Sequence, residues 1–354
     1  MKEVLAKAIA SLDRRSLIVM PISRILIEEV TTVGEFSLLP PGALELDELR
    51  PVPNITLESL TLQGEVTTVT GQAHREIATS LTGFSTEILE SNPLVIFPEE
   101  IPWERFLNSS HNDDVELLRR LSATAERAFD WIRFHYCSLD LPNTLPGAVG
   151  SWPGSGEYLG ALIYTSGDHE SYQIAGAAAD AIAIVSGIGL DLYCSELEPP
   201  PTPQAGEMAA LASHALALLS DAMYARNQTS RFLRAMTLLE FLACPYEYKG
   251  WKDMKGDVAC HSAKDKHEYL AICARFRQLT GLINEAGMEV GLRTQIIHYG
   301  RFLEYLMPAH AEREILFREL QMYAGRMIDD MLKYPGTSWE EYKERRASLK
   351  RQFT

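Results

Sequence analysis

Residues 195–208, SELEPPPTPQAGEM, divide the sequence into two parts of different character. A run of prolines cannot continue a helix or an inner strand, and it favours a stiff, extended spacer. The chain before this stretch is rich in β-branched residues, whereas the chain after it has the apolar spacing of helices. We therefore predict an α+β protein, with a β-rich N-terminal region (residues 1–195), a proline-rich linker (196–204) and an all-α helical bundle after it.

The N-terminal region contains two segments whose composition predicts β-strands. SLIVMPISRILIEEV (residues 16–30) and ITLESLTLQGEVTTVTG (55–71) flank a turn-forming stretch at 38–54, a pattern compatible with a small barrel or sandwich. Apolar residues at helical spacing predict a long helix near 113–139. Residues 141–176 predict a loop followed by a strand or hairpin.

The part of the chain after the linker has helical periodicity almost throughout. The predicted helices are 206–225, 229–243, 265–284, 291–307 and 309–333, within a bundle spanning residues 205–335. A charged C-terminal helix is predicted within 336–354. It opens with Ser338 three residues before Glu341, which is the spacing of a capping box.

Charge and composition limit the classes of partner. The apolar fraction of 46% and the charged fraction of 23% are typical of an ordinary globular protein. The net charge of −15 counts against a general affinity for nucleic acid. Residues 226–306 nevertheless carry twelve Lys and Arg against nine Asp and Glu, a net of +3, so that the rest carries −18. This basic segment permits a local site for a polyanion.

The five cysteines are odd in number and none forms a C-x-x-C pair. Reduced thiols in a cytoplasmic protein are therefore expected. The N-terminal residues lack the pattern of a signal peptide. The longest apolar run, at 174–190, is interrupted by Asp180 and is too short to span a bilayer, so no membrane partner is expected.

Several side chains of the types that bind zinc lie within thirty residues of one another; they are Cys244, Cys260, His261, His267 and Cys273. Their spacing lacks the close pairs that let one short loop supply two ligands. We predict no metal site, with structural zinc as a minor alternative. Common catalytic motifs, including G-x-S-x-G, G-x-G-x-x-G and H-E-x-x-H, are also absent from the sequence.

The stretch GLRTQIIHYG (residues 291–300) combines an arginine, Arg293, with a histidine five positions later, His298. On a helical wheel for 291–307 one face carries residues expected to be buried: Leu292, Ile296, Tyr299, Leu303 and Leu306. A second stripe carries His298, Arg301, Phe302 and Tyr305. Two stripes on one helix predict that the second contacts a ligand or another subunit. Arg293 and His298 can converge only if Arg293 lies in the first turn or if a second copy supplies the partner.

This stretch resembles the characteristic motif of the HEPN domains, in particular the Apea-like HEPN group. The family has Arg, usually Asn, three further residues and then His at the start of a late helix, and Arg293 and His298 match that pattern. Thr294 stands where the family usually has Asn. RFLRAMTLLEFLACP (231–245) resembles an earlier helix of the family, with its acidic residue at Glu240. The resemblance covers about residues 205–310.

The resemblance implies a metal-independent endoribonuclease that acts as a homodimer and cleaves single-stranded RNA through attack by the RNA's own 2′-hydroxyl. His298 would be the general acid and base, since imidazole titrates near neutral pH. Arg293 would bind the phosphate through its planar guanidinium. Thr294 would orient the pair, and Glu240 would position Arg293. No cofactor is required.

Four further residues are candidates for RNA binding: Arg301, Tyr305, Phe302 and Arg234. Unpaired bases stack on aromatic rings, and Arg contacts phosphates. The expected partners are single-stranded RNA and a second copy of the chain, with no DNA, and the expected setting is a defence or stress response.

Two other interpretations remain open at the level of sequence. The bundle can be a catalytically inactive HEPN module for dimerisation or ligand sensing, which the acidic charge and the missing Asn favour. A lone His on a helix is also often an ordinary packed or surface residue, and Phe302 and Tyr305 suit a dimer contact.

Overall fold

The structure, a computed structural model, describes residues 15–44, 72–165, 170–179, 189–192, 194, 196–200, 202–285 and 287–353. Among these residues a β-sheet region is followed by a helical part, so the predicted α+β class is confirmed. The chain divides into two compact units. The first comprises residues 1–129 and 143–199, and the second comprises residues 130–142 and 200–354.

The described strands all belong to the first unit. They are Ser16–Pro21 (β1), Ile25–Ile27 (β2), Thr31–Val33 (β3), Phe36–Leu39 (β4), Leu94–Glu99 (β5), Tyr158–Thr165 (β6), Glu170–Ala177 (β7), Leu190–Leu192 (β8) and Glu196–Leu197 (β9). Seven of them form one sheet in the order β7-β6-β1-β5-β4-β3-β9, and β2 pairs with β8. The pairs β3–β9 and β2–β8 are parallel, and the others are antiparallel.

Strand β1 lies in the middle of the large sheet, between β5 and β6. Every one of its residues is buried, and β5 and β6 pair with its two edges. Its SLIVMP sequence is the continuous apolar run that such a strand requires. In the register Ile18 lies opposite Phe97 of β5 and Ile163 of β6.

The first unit also contains helices at Gln72–Thr82 (α1), Thr86–Ser91 (α2) and Trp103–Leu107 (α3), together with most of His111–Tyr136 (α4), whose residues from Asp130 onward belong to the second unit. Helix α4 corresponds to the helix predicted near 113–139, and β6 with β7 forms the predicted hairpin. Helices α1, α2 and α3 were not predicted. The strand predicted at 55–71 lies outside the described residues.

After the proline-rich segment the described chain is helical. The helices are Glu207–Met223 (α5), Gln228–Ala243 (α6), Trp251–Ser262 (α7), Lys266–Thr280 (α8), Leu292–Tyr299 (α9), Leu303–Leu306 (α10), His310–Leu332 (α11) and Trp339–Arg351 (α12). Helix α5 packs against α6, α7 packs against α8, and α11 contacts α5, α6 and α7. No helix among the described residues is both long and apolar enough to cross a bilayer.

Side-chain caps determine where several of these helices begin. Asn227 accepts a hydrogen bond from the backbone N–H of Ser230 at the start of α6, and Asp265 does the same for Glu268 at the start of α8. Ser338 and Glu341 form the predicted capping box of α12. Each cap satisfies an amide that has no partner within its helix.

Two helix predictions differ from the structure. The helix predicted for 291–307 ends at Gly300, whose φ of 64° is the left-handed conformation that terminates helices. Because the chain resumes as the short helix α10, the helical wheel drawn through both halves does not describe the real faces. Helix α7 was not predicted, because its several charged residues obscure the apolar spacing of Trp251, Met254 and Val258, which are buried in the structure.

Candidate functional site

The candidate site is built on the first turn of α9, which is held closely against the end of α8. A Cβ atom added to Gly291 would come within 2.5 Å of the Thr280 carbonyl carbon, so only glycine permits this approach. The Thr294 hydroxyl donates a hydrogen bond of 2.8 Å to the Thr280 carbonyl oxygen. Thr294 therefore fixes α9 to α8, and its hydroxyl is not directed to Arg293 or His298.

Arg293, the second residue of α9, forms an ion pair with Glu240 of α6. The distance between Arg293 Nη2 and Glu240 Oε1 is 3.0 Å, and both side chains are about one third exposed (31% and 28%). The same oxygen accepts a hydrogen bond of 2.6 Å from the indole Nε1 of Trp251. The pairing expected from the sequence is thus present, and an additional donor holds the carboxylate in place.

Trp251, which donates to the Glu240 carboxylate, is itself held in place by packing. Its side chain is 9% exposed, and its ring stacks on Phe276 of α8 with centroids 5.1 Å apart and planes 10° apart. Since Trp251 is the first residue of α7, the ion pair connects α6, α7 and α9. Trp251 was not predicted from the sequence, in which its one signal is an aromatic ring with a polar N–H close to the helix that carries Glu240.

His298 lies in the last turn of α9, and its side chain is exposed. No hydrogen bond or ion pair of His298 is present in the part of the chain that the structure describes. Arg293 and His298 are five residues apart in one regular helix, which separates them by about 140° around the axis. Arg293 does lie in the first turn, as the sequence required, but the two side chains are not brought together within one chain.

The segment around the end of α9 exposes several large apolar side chains. Tyr299, expected to be buried, is 58% exposed, because the helix ends at Gly300 and its face does not continue into α10. Phe302 and Tyr305 are 56% and 80% exposed, and their rings contact each other edge to face at 5.9 Å. Arg301 is also exposed. Only Ile296 and Leu303 of the predicted buried stripe are fully buried.

The chain between α9 and α10 is anchored to the start of α6. The backbone N–H of Leu303 donates 2.8 Å to the hydroxyl of Thr229, which itself donates 2.9 Å to the Glu304 carboxylate. These two hydrogen bonds fix the position at which Phe302 and Tyr305 are presented. Their role could not be inferred from the sequence, because Thr229 is more than seventy positions from its partners.

Arg234 has a different environment from the other RNA-binding candidates. Its guanidinium donates 2.8 Å to the backbone carbonyl of Asp221, near the end of α5. Arg234 thus lies at the C-terminal end of α5, where the helix dipole favours a cation. The side chain remains exposed.

The residues weighed as zinc ligands do not form a site. No three His, Cys, Asp or Glu side chains come together as a metal would require anywhere in the described ranges. Burial raises the pKa of the Cys260 thiol to about 12, which disfavours the thiolate that binds metal. His261 instead accepts a hydrogen bond of 3.0 Å from Nε of Arg346.

A scan against protein-family models, a search of curated proteins and a search of solved structures each found no match to this chain.

Proposed function

We propose that the second unit is a HEPN-type, metal-independent endoribonuclease that cleaves single-stranded RNA, with Arg293 as phosphate ligand and His298 as general acid and base. The observation that carries the proposal is the anchored Arg293–Glu240 pair at the start of a helix that ends in an exposed imidazole. This is the arrangement expected if the motif has a chemical role. A surface arginine without such a role needs no carboxylate held by a buried tryptophan.

Each side chain suits its step. Attack of a 2′-hydroxyl on the adjacent phosphorus requires removal of the hydroxyl proton and protonation of the departing 5′-oxygen. Imidazole is the side chain best suited to perform both transfers near neutral pH. The guanidinium of Arg293 stabilises the charge that develops on the phosphorane oxygens. The products are a 2′,3′-cyclic phosphate and a free 5′-hydroxyl.

A second copy of the chain completes the site in this proposal. One α9 helix directs Arg293 and His298 to different sides, so a single phosphate contacts both only when two copies meet along this helix. The surrounding surface suits such a contact, because its exposed apolar side chains include Ile283, Met288, Ile297, Tyr299, Phe302 and Tyr305. In a twofold dimer this surface would face its own copy.

The test is cleavage of a labelled single-stranded RNA by purified protein in excess EDTA, with products analysed for cyclic phosphate ends. We expect cleavage by the wild type and a loss of about 100-fold or more with His298→Ala, the usual contribution of general acid–base catalysis. His267→Ala is the matched control, because His267 is also an exposed helical histidine of the second unit but lies on a different helix, α8.

The unfolding midpoint and the sedimentation coefficient of His298→Ala should equal those of the wild type. Equal cleavage by the wild type and His298→Ala would refute the assignment, as would a requirement for a divalent metal. Mixing His298→Ala with Arg293→Ala tests the composite site. Mixed dimers should regain part of the activity if the two side chains act from different copies.

A catalytically inactive HEPN module for dimerisation or ligand sensing is the second candidate. The Thr294 hydroxyl, at the position of the usual Asn, is engaged with the backbone of α8, and Glu240 compensates the charge of Arg293. Under this alternative no cleavage occurs in EDTA or with added Mg²⁺, while Phe302→Ser with Tyr305→Ser converts a dimer to a monomer.

A further inference from the structure

The first unit contains a polar cavity of ≈ 520 Å³ beside α1 and β7. Its volume lies in the range of about 300–1,000 Å³ that is usual for small-molecule sites. Ser80 and Gly83, two of its lining residues, are exposed, so the cavity reaches the surface there. The nuclease proposal uses no residue of this unit.

Arg75 is the most unusual residue of the cavity lining. Its side chain is only 1% exposed, and its Nε and Nη2 atoms donate to Asp114 at 2.8 and 3.3 Å. Nη2 also donates to the hydroxyl of Ser109 and to the carbonyl of Phe106. The guanidinium lies 3.8 Å from the centre of the Phe106 ring. The orientation of Arg75 is therefore fixed.

The third nitrogen of Arg75, Nη1, is buried and has no hydrogen-bond partner among the described residues. A buried polar group left in this state costs about 1–3 kcal/mol, and more when it is charged. Asp114 pairs with Arg75 through Nε and Nη2, and its two oxygens also accept from His74 and Ser109, so it accepts no hydrogen bond from Nη1. Nη1 therefore carries two N–H groups that donate to no acceptor among the described residues, and an oxyanion at the inner end of the cavity would satisfy them.

Gln72 supplies a complementary group. It also lines the cavity, and its Oε1 is a buried acceptor without a partner in the described part of the chain. The remaining lining is mainly hydroxyl and amide, with one aromatic ring and one carboxylate, Glu76, that can accept from a ligand hydroxyl; it includes Thr79, Ser85, Thr86, Gln173 and Phe84. A ligand that satisfies this lining carries one anionic group together with several hydroxyl donors.

We propose that this cavity binds a small polyhydroxylated oxyanion, a sugar phosphate or a sugar acid, with Arg75 Nη1 donating to the anionic oxygens and Gln72 accepting from a hydroxyl. Phosphate and carboxylate share the geometry that a guanidinium recognises, so the chemistry of the site is common to both. The hydroxyl-rich lining selects a sugar-like body over an apolar one.

The test is calorimetric titration of the full chain with three probes: ribose 5-phosphate, gluconate and ribose. We expect at least one of the two anions to bind saturably with Kd below about 1 mM, and ribose to bind at least tenfold more weakly. If only one anion binds, the anionic group of the natural ligand is identified.

Two variants connect binding to the cavity. Ser80→Trp places a bulky ring at an exposed lining position, and Arg75→Lys keeps the charge but removes the planar fork. Each should weaken binding at least tenfold. Ser91→Trp, at an exposed serine outside the lining, should not change binding. If Arg75→Lys fails to fold, Ser80→Trp decides alone. The proposal is overturned if neither anion binds, if ribose binds equally well, or if Ser80→Trp binds like the wild type.

Discussion

Arg346 of α12 is a buried cation whose removal should strongly destabilise the second unit. Its side chain is 2% exposed, and it donates 2.7 Å to the Ala243 carbonyl, 2.9 Å to the Leu242 carbonyl and 3.0 Å to Nε2 of His261. Ala243 is the last residue of α6, so Arg346 satisfies carbonyls that the helix itself leaves without donors. The rings of Trp339 and Tyr342 lie near its guanidinium.

Replacement of Arg346 by Met removes all three donors while keeping most of the side-chain volume. Hydrogen bonds from a charged donor contribute about 1.5–3 kcal/mol each, so the lower bound for three is about 4.5 kcal/mol. Met does not carry the desolvation penalty of the cation, which reduces the loss. We therefore expect Arg346→Met to lower the free energy of unfolding by about 3 kcal/mol.

The assay is urea unfolding followed by circular dichroism. With m values of about 1–3 kcal/mol/M, a loss of 3 kcal/mol lowers the midpoint by about 1–3 M. Arg351→Met is the matched control, because Arg351 is exposed and its Nε donates only to a carbonyl of its own helix. The control should change stability by less than about 0.5 kcal/mol. A loss below about 1 kcal/mol for Arg346→Met would refute the reasoning that these three donors stabilise the end of α6.

Three further predictions concern the candidate site and the packing of the second unit. Under the proposed function, Glu240→Gln should lower kcat for RNA cleavage by about tenfold to a hundredfold, because Arg293 loses the carboxylate that positions it. It should also lower KM, because a negative charge near the phosphate is removed. An unchanged kcat would contradict the positioning role. Burial lowers the pKa of His261 from its ordinary value of 6.5, even though Asp330 opposes the shift. In addition, Arg346 can donate its hydrogen bond to Nε2 of His261 only while that nitrogen is unprotonated. The histidine therefore binds a proton more readily in the unfolded chain, so the free energy of unfolding should decrease as the pH falls below about 6.5. His261→Gln should weaken that pH dependence, measured by urea unfolding at pH 7.5 and 5.5. An identical pH dependence in the variant and the wild type would exclude His261 as its source. Gly300→Ala should cost about 1 kcal/mol, because its φ of 64° disfavours a side chain, while no atom within 4 Å of the new Cβ adds a clash; a neutral effect in the same assay would show that the α9 terminus can rearrange.

The candidate site was only partly predictable, and the reason lies in the range of the interactions. Glu240 and Arg293 could be selected from their helical contexts and from the family resemblance, and their side chains do meet. Trp251 could not be selected, because its role depends on the packing of α7 on α8, which periodicity does not specify. The buried and exposed faces predicted for residues 291–307 were wrong, because Gly300 ends α9 and the residues after it no longer continue the same helix.

Features that depend on neighbouring residues could be predicted from the sequence alone. These are the α+β class, the change of character at the proline-rich stretch, the β6–β7 hairpin, the long helix α4 and the capping box of α12. Each follows from backbone preferences or from apolar spacing within a few turns of chain.

The burial of polar groups, and the partners they contact, depend instead on how distant elements pack. Arg346 meets His261 across 85 positions of the chain, and Arg75 meets Asp114 across 39. A buried charge is stable only when distant elements bring donors and acceptors together, so its sequence neighbours carry no sign of it. For the same reason the cavity beside Arg75 could be found only from the packing of α1 with β7.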